Sequence, residues 1–206
     1  MKKKFLAVCL GLMLCSLLAA QKKDALVLYR NGKYEEASTV CQQEIKENPD
    51  NVDSYVVLCW ALVANRQYSE ASYWSSKGRE VSKYDSRLVE VQAEAEYYLG
   101  KNNESLAHFQ EYISLVGASG SRIGETYSFM GEIYIREEKY NHADISFSQA
   151  VRMDPLRDLW WSRLGYAREM AGEYVSAANA YEKALELNPS QEAAKSGKLR
   201  VTQLLQ

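Results

Sequence analysis

The feature that most constrains this chain is an internal period. Eight positions recur at i and i+34: Tyr127 and Trp161, Met130 and Leu164, Gly131 and Gly165, Tyr140 and Tyr174, Ala143 and Ala177, Phe147 and Tyr181, Ala150 and Ala184, Pro155 and Pro189. A period of roughly 20–50 residues marks a chain built by stacking one supersecondary unit, rather than a domain wrapped around one closed core. The unit is helical. Only three of the 206 residues are proline, where average usage gives about ten. Proline lacks an N–H and clashes with the preceding helical turn, so its scarcity suits helices. Pro155 and Pro189 close matched units, and Pro49 closes an earlier one.

The earlier units are more worn. Gly32-Lys33-Tyr34-Glu35-Glu36-Ala37 through Pro49 fits the pattern. So does Tyr55-x-x-Leu58-Cys59 with Tyr68-Ser69-Glu70-Ala71, where Cys59 takes the small slot and Lys83 replaces the closing proline. In the middle unit Glu104-Ser105-Leu106-Ala107 stands at the expected turn, preceded by Tyr97 or Tyr98. Aligning Leu106 with the alanines gives steps of 34, 35, 37 and 34 along the chain from Ala37 to Ala177. The surplus then sits around the third unit, mostly in Gly117-Ala118-Ser119-Gly120-Ser121, which is expected to be the most mobile internal segment.

These motifs resemble the tetratricopeptide repeat over nearly all of residues 24–189. The resemblance implies an all-α, right-handed helical-hairpin solenoid of about five units over residues 21–189. Its third repeat, near 88–122, is irregular, and a capping helix fills residues 190–206. In each unit two helices of about 14 residues meet at a short turn, and neighbours must stack to bury their apolar faces. Gly131 with Ala143 and Gly165 with Ala177 are expected to let backbones approach closely. Tyr134 with Phe147 and Leu164 with Tyr181 are expected to fill the layer between units. Ser190 is placed to cap a last helix over 191–205. Leu199, Leu204 and Leu205 of that helix are expected to cover the fifth unit, with Lys195, Lys198 and Arg200 in water.

Residues 1–20 stand apart. Met1-Lys2-Lys3-Lys4 is basic, Phe5 to Ala20 is uncharged, and Gln21-Lys22-Lys23-Asp24 ends the run. That order describes a secretory signal peptide over 1–20, and the apolar run from Phe5 to Ala20 falls short of the roughly 20 residues a membrane span needs. Cleavage after Ala20, lipidation at Cys15 and an uncleaved anchor stay open as readings. All three export the body to a periplasmic or membrane-anchored location. Removing Lys2, Lys3 and Lys4 leaves 22 basic residues against 27 acidic ones, a net charge of −5. An acidic body argues against nucleic-acid binding, which relies on Lys and Arg neutralising phosphates. Only Cys41 and Cys59 then remain. An oxidising compartment permits them to pair, although two small buried hydrophobes is the favoured reading.

No enzyme signature, phosphate loop or metal motif is present, so no cofactor is expected. His108 and His142 are read as surface histidines of the repeats, and carboxylate pairs such as Glu137-Glu138 as solvated turn charges. The informative surface is the concave one, lined in similar proteins by the first helix of each unit. Helical periodicity assigns it Leu26 and Tyr29; Val56, Trp60 and Val63; Val91 and Tyr98; Phe129, Glu132 and Arg136; Arg163, Tyr166 and Glu169. Every unit offers an aromatic there, and Trp, Tyr and Arg are enriched at binding hot spots. The Lys/Asn/Arg clamp that related repeats use for acidic chaperone tails has no counterpart. The groove reads as apolar and aromatic at its N-terminal half and mixed-charge at its C-terminal half. It suits a partner helix or extended peptide from another envelope protein. Two alternatives are a carrier of a small apolar ligand and a self-assembling homo-oligomer.

Overall fold

The computed structural model describes residues 24–117 and 120–206. Residues 1–23, and with them the signal sequence and Cys15, lie outside the described residues, as do two positions of the Gly117–Ser121 stretch. The described chain is all-α, eleven helices in stacked hairpins. Unit 1 pairs α1 (Ala25–Arg30) with α2 (Tyr34–Glu47), and unit 2 pairs α3 (Val52–Ala64) with α4 (Tyr68–Val81). Unit 3 pairs α5 (Ser86–Tyr98) with α6 (Asn102–Val116), and unit 4 pairs α7 (Ile123–Arg136) with α8 (Tyr140–Met153). Unit 5 pairs α9 (Asp158–Met170) with α10 (Tyr174–Leu187), and α11 (Glu192–Leu204) follows. No helix among the described residues is long and apolar enough to cross a membrane.

Each hairpin turns on one residue with positive φ: Gly32 (74°), Arg66 (60°), Gly100 (73°), Glu138 (56°) and Gly172 (84°). The left-handed conformation there ends the first helix, so that the chain can reverse within a short turn. These residues fix the register that the sequence left loose. Counting five positions on from each turn gives Ala37, Ala71, Ser105, Ala143 and Ala177, all fully buried. Ser105, not Leu106, therefore holds the small slot of unit 3. Its hydroxyl donates to the Ala93 carbonyl of the facing helix at 2.8 Å, which lets a polar residue replace alanine there. The steps become 34, 34, 38 and 34 along the chain. The whole surplus of four falls between the turns of units 3 and 4.

Close packing inside a hairpin is set by pairs of opposite size. A Cβ added to Gly131 would lie 2.6 Å from the Phe147 ring, and one on Gly165 would lie 2.7 Å from the Tyr181 ring. The glycines thus face aromatic rings, while Ala143 and Ala177 are fully buried on the facing helices. Tyr181 is also closed from its other side by Gly197 of α11. This corrects the expected cap. Ala194, Gly197 and Val201 are the buried residues of α11, whereas Leu199, Leu204 and Leu205 are exposed. Nor does Ser190 cap α11: its N–H and hydroxyl both bond Asn188 Oδ1. Arg200 holds Glu169 of α9 with bonds of 2.6 and 2.8 Å, and Tyr181 donates to the same carboxylate. Cys41 and Cys59 are free and buried, and burial pushes the Cys41 thiol up to about 12.

Candidate functional site

The first helices of successive units lie side by side, α1 on α3, α3 on α5 and α5 on α7, so their outward faces form one surface. Its N-terminal half keeps the predicted aromatic character. Tyr29 of α1 and Trp60 of α3 stand 5.9 Å apart between ring centres, each half-buried. Trp60 walls two adjoining clefts, and Tyr29 joins it in the second. One, of about 620 Å³, lies against Leu26, Val56, Val57 and Trp60, with Asp53 and Arg87 at its edge. The other, of about 380 Å³, lies between Tyr29, Trp60, Arg87, Glu90, Tyr112 and Arg122. Val63 packs beside them, partly buried. Val56 is fully buried, so it supports the cleft wall as a core residue and not as an exposed contact. Val91 is likewise core.

In the C-terminal half of the surface the charged residues are paired with one another. Glu132 and Arg163, assigned separately as mixed-charge contacts, form a two-pronged ion pair across the unit 4–5 junction. Arg136 stacks over the Tyr97 ring, 3.9 Å from its centre, and donates to the Tyr97 carbonyl at 3.1 Å. Phe129 lies flat against Phe109, 5.5 Å between ring centres and 9° between planes, and is packed into the core between units 3 and 4. Tyr98 remains 45% exposed but stacks on Tyr68 at 4.4 Å. Tyr166 is half-buried against the last core cluster, with Arg163 over its ring. Glu169 is engaged by Arg200 and Tyr181. Hence the predicted residues divide. Tyr29 and Trp60 come together at open space, with Val63 packed against the core beneath, whereas Phe129, Glu132, Arg136 and Arg163 satisfy one another or the core.

Sequence reasoning missed the polar side of the clefts. Helix α5 buries Glu90, Gln92, Glu94 and Glu96, charged or amide groups in a layer that repeats usually fill with apolar ones. Arg122, at the end of the irregular loop, donates to Glu90 at 3.2 Å and to Glu94 at 3.0 Å. Burial pushes the Glu90 carboxyl up to about 7, with Arg122 pulling the other way. Its Oε1 accepts no hydrogen bond. Arg87 is shared by Asp53 at 2.8 Å and Asp85 at 2.7 Å. On the far side of α5, Gln92 links Arg79 to Glu96, and Glu96 meets His108 Nδ1 at 2.6 Å. His108 is therefore part of a buried network and not a plain surface histidine. The sequence signal for all this is an arginine immediately after the Gly/Ser-rich stretch, facing a helix written Glu-x-Gln-x-Glu-x-Glu.

A stack of helical hairpins with a concave face and no strand among its described residues defines a repeat solenoid. Comparison with known proteins gives the kind of repeat. Residues 124–155 and 159–191 each match the tetratricopeptide repeat family. Units 4 and 5 thus match the tetratricopeptide repeat directly, and units 1 to 3 continue the same hairpin stack. The chain is 31% identical over 109 residues to the Hsp70-Hsp90 organizing protein of Triticum aestivum, covering 53% of this chain and 18% of that one. Curated relatives are much longer: this chain spans 18% to 33% of them. Among solved structures, Pseudomonas aeruginosa pilF superposes with a TM-score of 0.75 at 13% identity, covering 88% of this chain and 81% of that one. YrrB, described as a TPR protein with an unusual peptide-binding site, gives 0.70 at 17%, covering 84% and 88%. At such identities the likeness is one of fold.

Proposed function

We propose that this chain is a protein–protein interaction scaffold, an exported adaptor of the bacterial cell envelope that holds a partner peptide or helix in the N-terminal half of its concave face. The observation that carries the reading is the aromatic wall of Tyr29 and Trp60 beside open clefts, on a surface whose other half is closed by its own ion pairs. Half-buried aromatics next to open volume are the pattern of a binding hot spot. The fold shared with YrrB supports peptide recognition, and the basic-then-apolar start of the sequence supports export. Within this reading the chain catalyses nothing, and its cellular task is to bring envelope proteins together. The test is a pull-down from envelope extract with wild-type protein and Trp60→Ala. Partners lost with Trp60→Ala support the groove, and an unchanged partner set overturns it. Intact mass of the same purified protein reads the N-terminus: a chain starting at Gln21 fits cleavage, a diacylated Cys15 fits a lipid anchor, and an intact Met1 in a cytoplasmic fraction refutes export.

A further inference from the structure

The charges around the two clefts are unequal. Around the two clefts six carboxylates, Asp24, Glu44, Asp53, Asp85, Glu90 and Glu94, face three guanidinium groups, Arg30, Arg87 and Arg122. Arg87 and Arg122 are already divided between two acids each, so neither is spare for an anion. Glu90 is 3% exposed, and Arg122 alone supports its carboxyl: Nη1 donates to Oε2 and lies 3.2 Å from Oε1, which accepts no hydrogen bond. Low surrounding dielectric carries its field further than water would. Beside it stand the faces of Trp60 and Tyr29, whose negative ring quadrupoles attract cations. Aromatic faces, an excess of carboxylates over guanidinium groups and two clefts of about 620 and 380 Å³ occur together at this one place.

We infer that the N-terminal half of the groove selects a basic partner segment: an extended peptide whose lysine side chain lies against Trp60 and Tyr29, drawn by the excess carboxylates of units 2 and 3. This rests on the groove reading above and adds the chemistry of its occupant. The lysine stem packs on the rings and the clefts' apolar side, which includes Leu26 and Val57. The ammonium stays solvated at the rim near Asp53, whose side chain is 76% exposed. Glu90 acts through its field, because it is buried and has no surface for a direct bond. An acidic segment is disfavoured by the same arrangement, since it would meet more carboxylates than guanidinium groups, with Arg87 and Arg122 already shared between acids.

The experiment uses three fluorescein-labelled, end-capped heptapeptides. They carry leucines flanking a central lysine, norleucine or glutamate, with serine elsewhere. Affinities are read by anisotropy at low and high salt, on either side of physiological ionic strength. The lysine peptide should bind roughly fivefold or more tighter than norleucine at low salt, and the advantage should shrink at high salt as exposed charges are screened. The double variant Asp53→Asn with Glu90→Gln keeps the shape of both side chains. It should shrink the lysine–norleucine gap, read as the ratio of the two affinities on each protein. Equal affinity for lysine and norleucine, tighter binding of glutamate, or no binding of any of the three at millimolar protein, about the weakest affinity worth assigning, would overturn the basic-partner assignment. The pull-down would still stand as a separate test of the groove. A lysine preference undiminished in Trp60→Ala and in Tyr29→Ala would place the site elsewhere and overturn both readings.

Discussion

Glu90 concentrates the conflict between burial and charge that runs through unit 3. A carboxylate that ionises at about 7 in the native chain, against an ordinary value of 4.5, binds its proton more tightly folded than unfolded. The stability this adds is complete below the unfolded value and is lost as pH rises through the native one. The window is therefore about pH 4.5 to 7. At about 1.36 kcal/mol per unit the change is about 3 kcal/mol at most. Glu90→Gln keeps an acceptor for Arg122 but has no proton to lose. It should match the wild type at the acid end of that window and exceed it by a growing margin up to and beyond neutrality. Urea denaturation of both proteins across that range checks this, and parallel stability curves would assign the slope to other carboxylates. Repeat periodicity cannot reveal such a residue. Periodicity reports which positions face inward, and Glu90 faces inward like any core residue. What makes it distinct is the lack of a second donor, which depends on where Arg122 lands after the loop.

At the scale of helices, the hairpins are keyed by a small residue on one helix and a ring on the other. Gly165 sits 2.7 Å, counted from a notional Cβ, from the Tyr181 ring, which Gly197 covers from the cap side. Gly165→Ala should destabilise unit 5 by about 1–3 kcal/mol, because the ring is held between two helices and by its hydroxyl on Glu169 and has nowhere to retreat. Gly165→Ala combined with Tyr181→Leu should recover part of that loss, with thermal unfolding as the readout. A double variant no better than the sum of the two singles would mean the contact is not what limits the site. This also shows how far the sequence carries. The helices, their pairing and the regular step between units are written in Gly165, Ala177, Tyr181 and their counterparts. The partner of each glycine is not, since spacing along the chain says only that two residues face the same seam. The same limit applies on the outer face. Tyr29 and Trp60 stand beside open clefts, as their outward positions imply. Glu132 and Arg163, at equally outward positions, turn to each other, because an arginine one unit on can reach a carboxylate that periodicity treats as free.

In the whole molecule the irregular third unit divides the stack. Helix α6 approaches α7 along a much shorter stretch than α2 approaches α3, α4 approaches α5 or α8 approaches α9. The surplus of four between units 3 and 4 opens the outer layer there. Three inner links bridge the junction: Arg122 to Glu90 and Glu94, Arg136 on Tyr97, and Phe129 against Phe109 and Tyr97. The first two are partly exposed ionic or stacking contacts of modest worth. The apolar tie is the cluster in which buried Met130 and Ile133 of unit 4 meet Ala93 and Phe109 of unit 3, with the Phe129 ring packed against it. In a solenoid, cooperativity depends on nearest-neighbour interfaces, so the weakest junction decides whether the array unfolds as one body. Phe129→Ala should cost about 2–4 kcal/mol by weakening that tie, and it should also split a single unfolding transition into two. The tryptophans allow the split to be seen, since Trp60 and Trp74 report on units 1 to 3 while Trp160 and Trp161 report on units 4 and 5. Urea titrations of Phe129→Ala in Trp160→Phe/Trp161→Phe and Trp60→Phe/Trp74→Phe backgrounds should give midpoints that separate, where the same backgrounds with Phe129 retained give coincident ones. Coincident midpoints in both sets would mean that Met130, Ile133 and the ionic links couple the halves without the Phe129 ring, and the groove, which lies on the first three units and the loop up to Arg122, would then be under the control of the whole array.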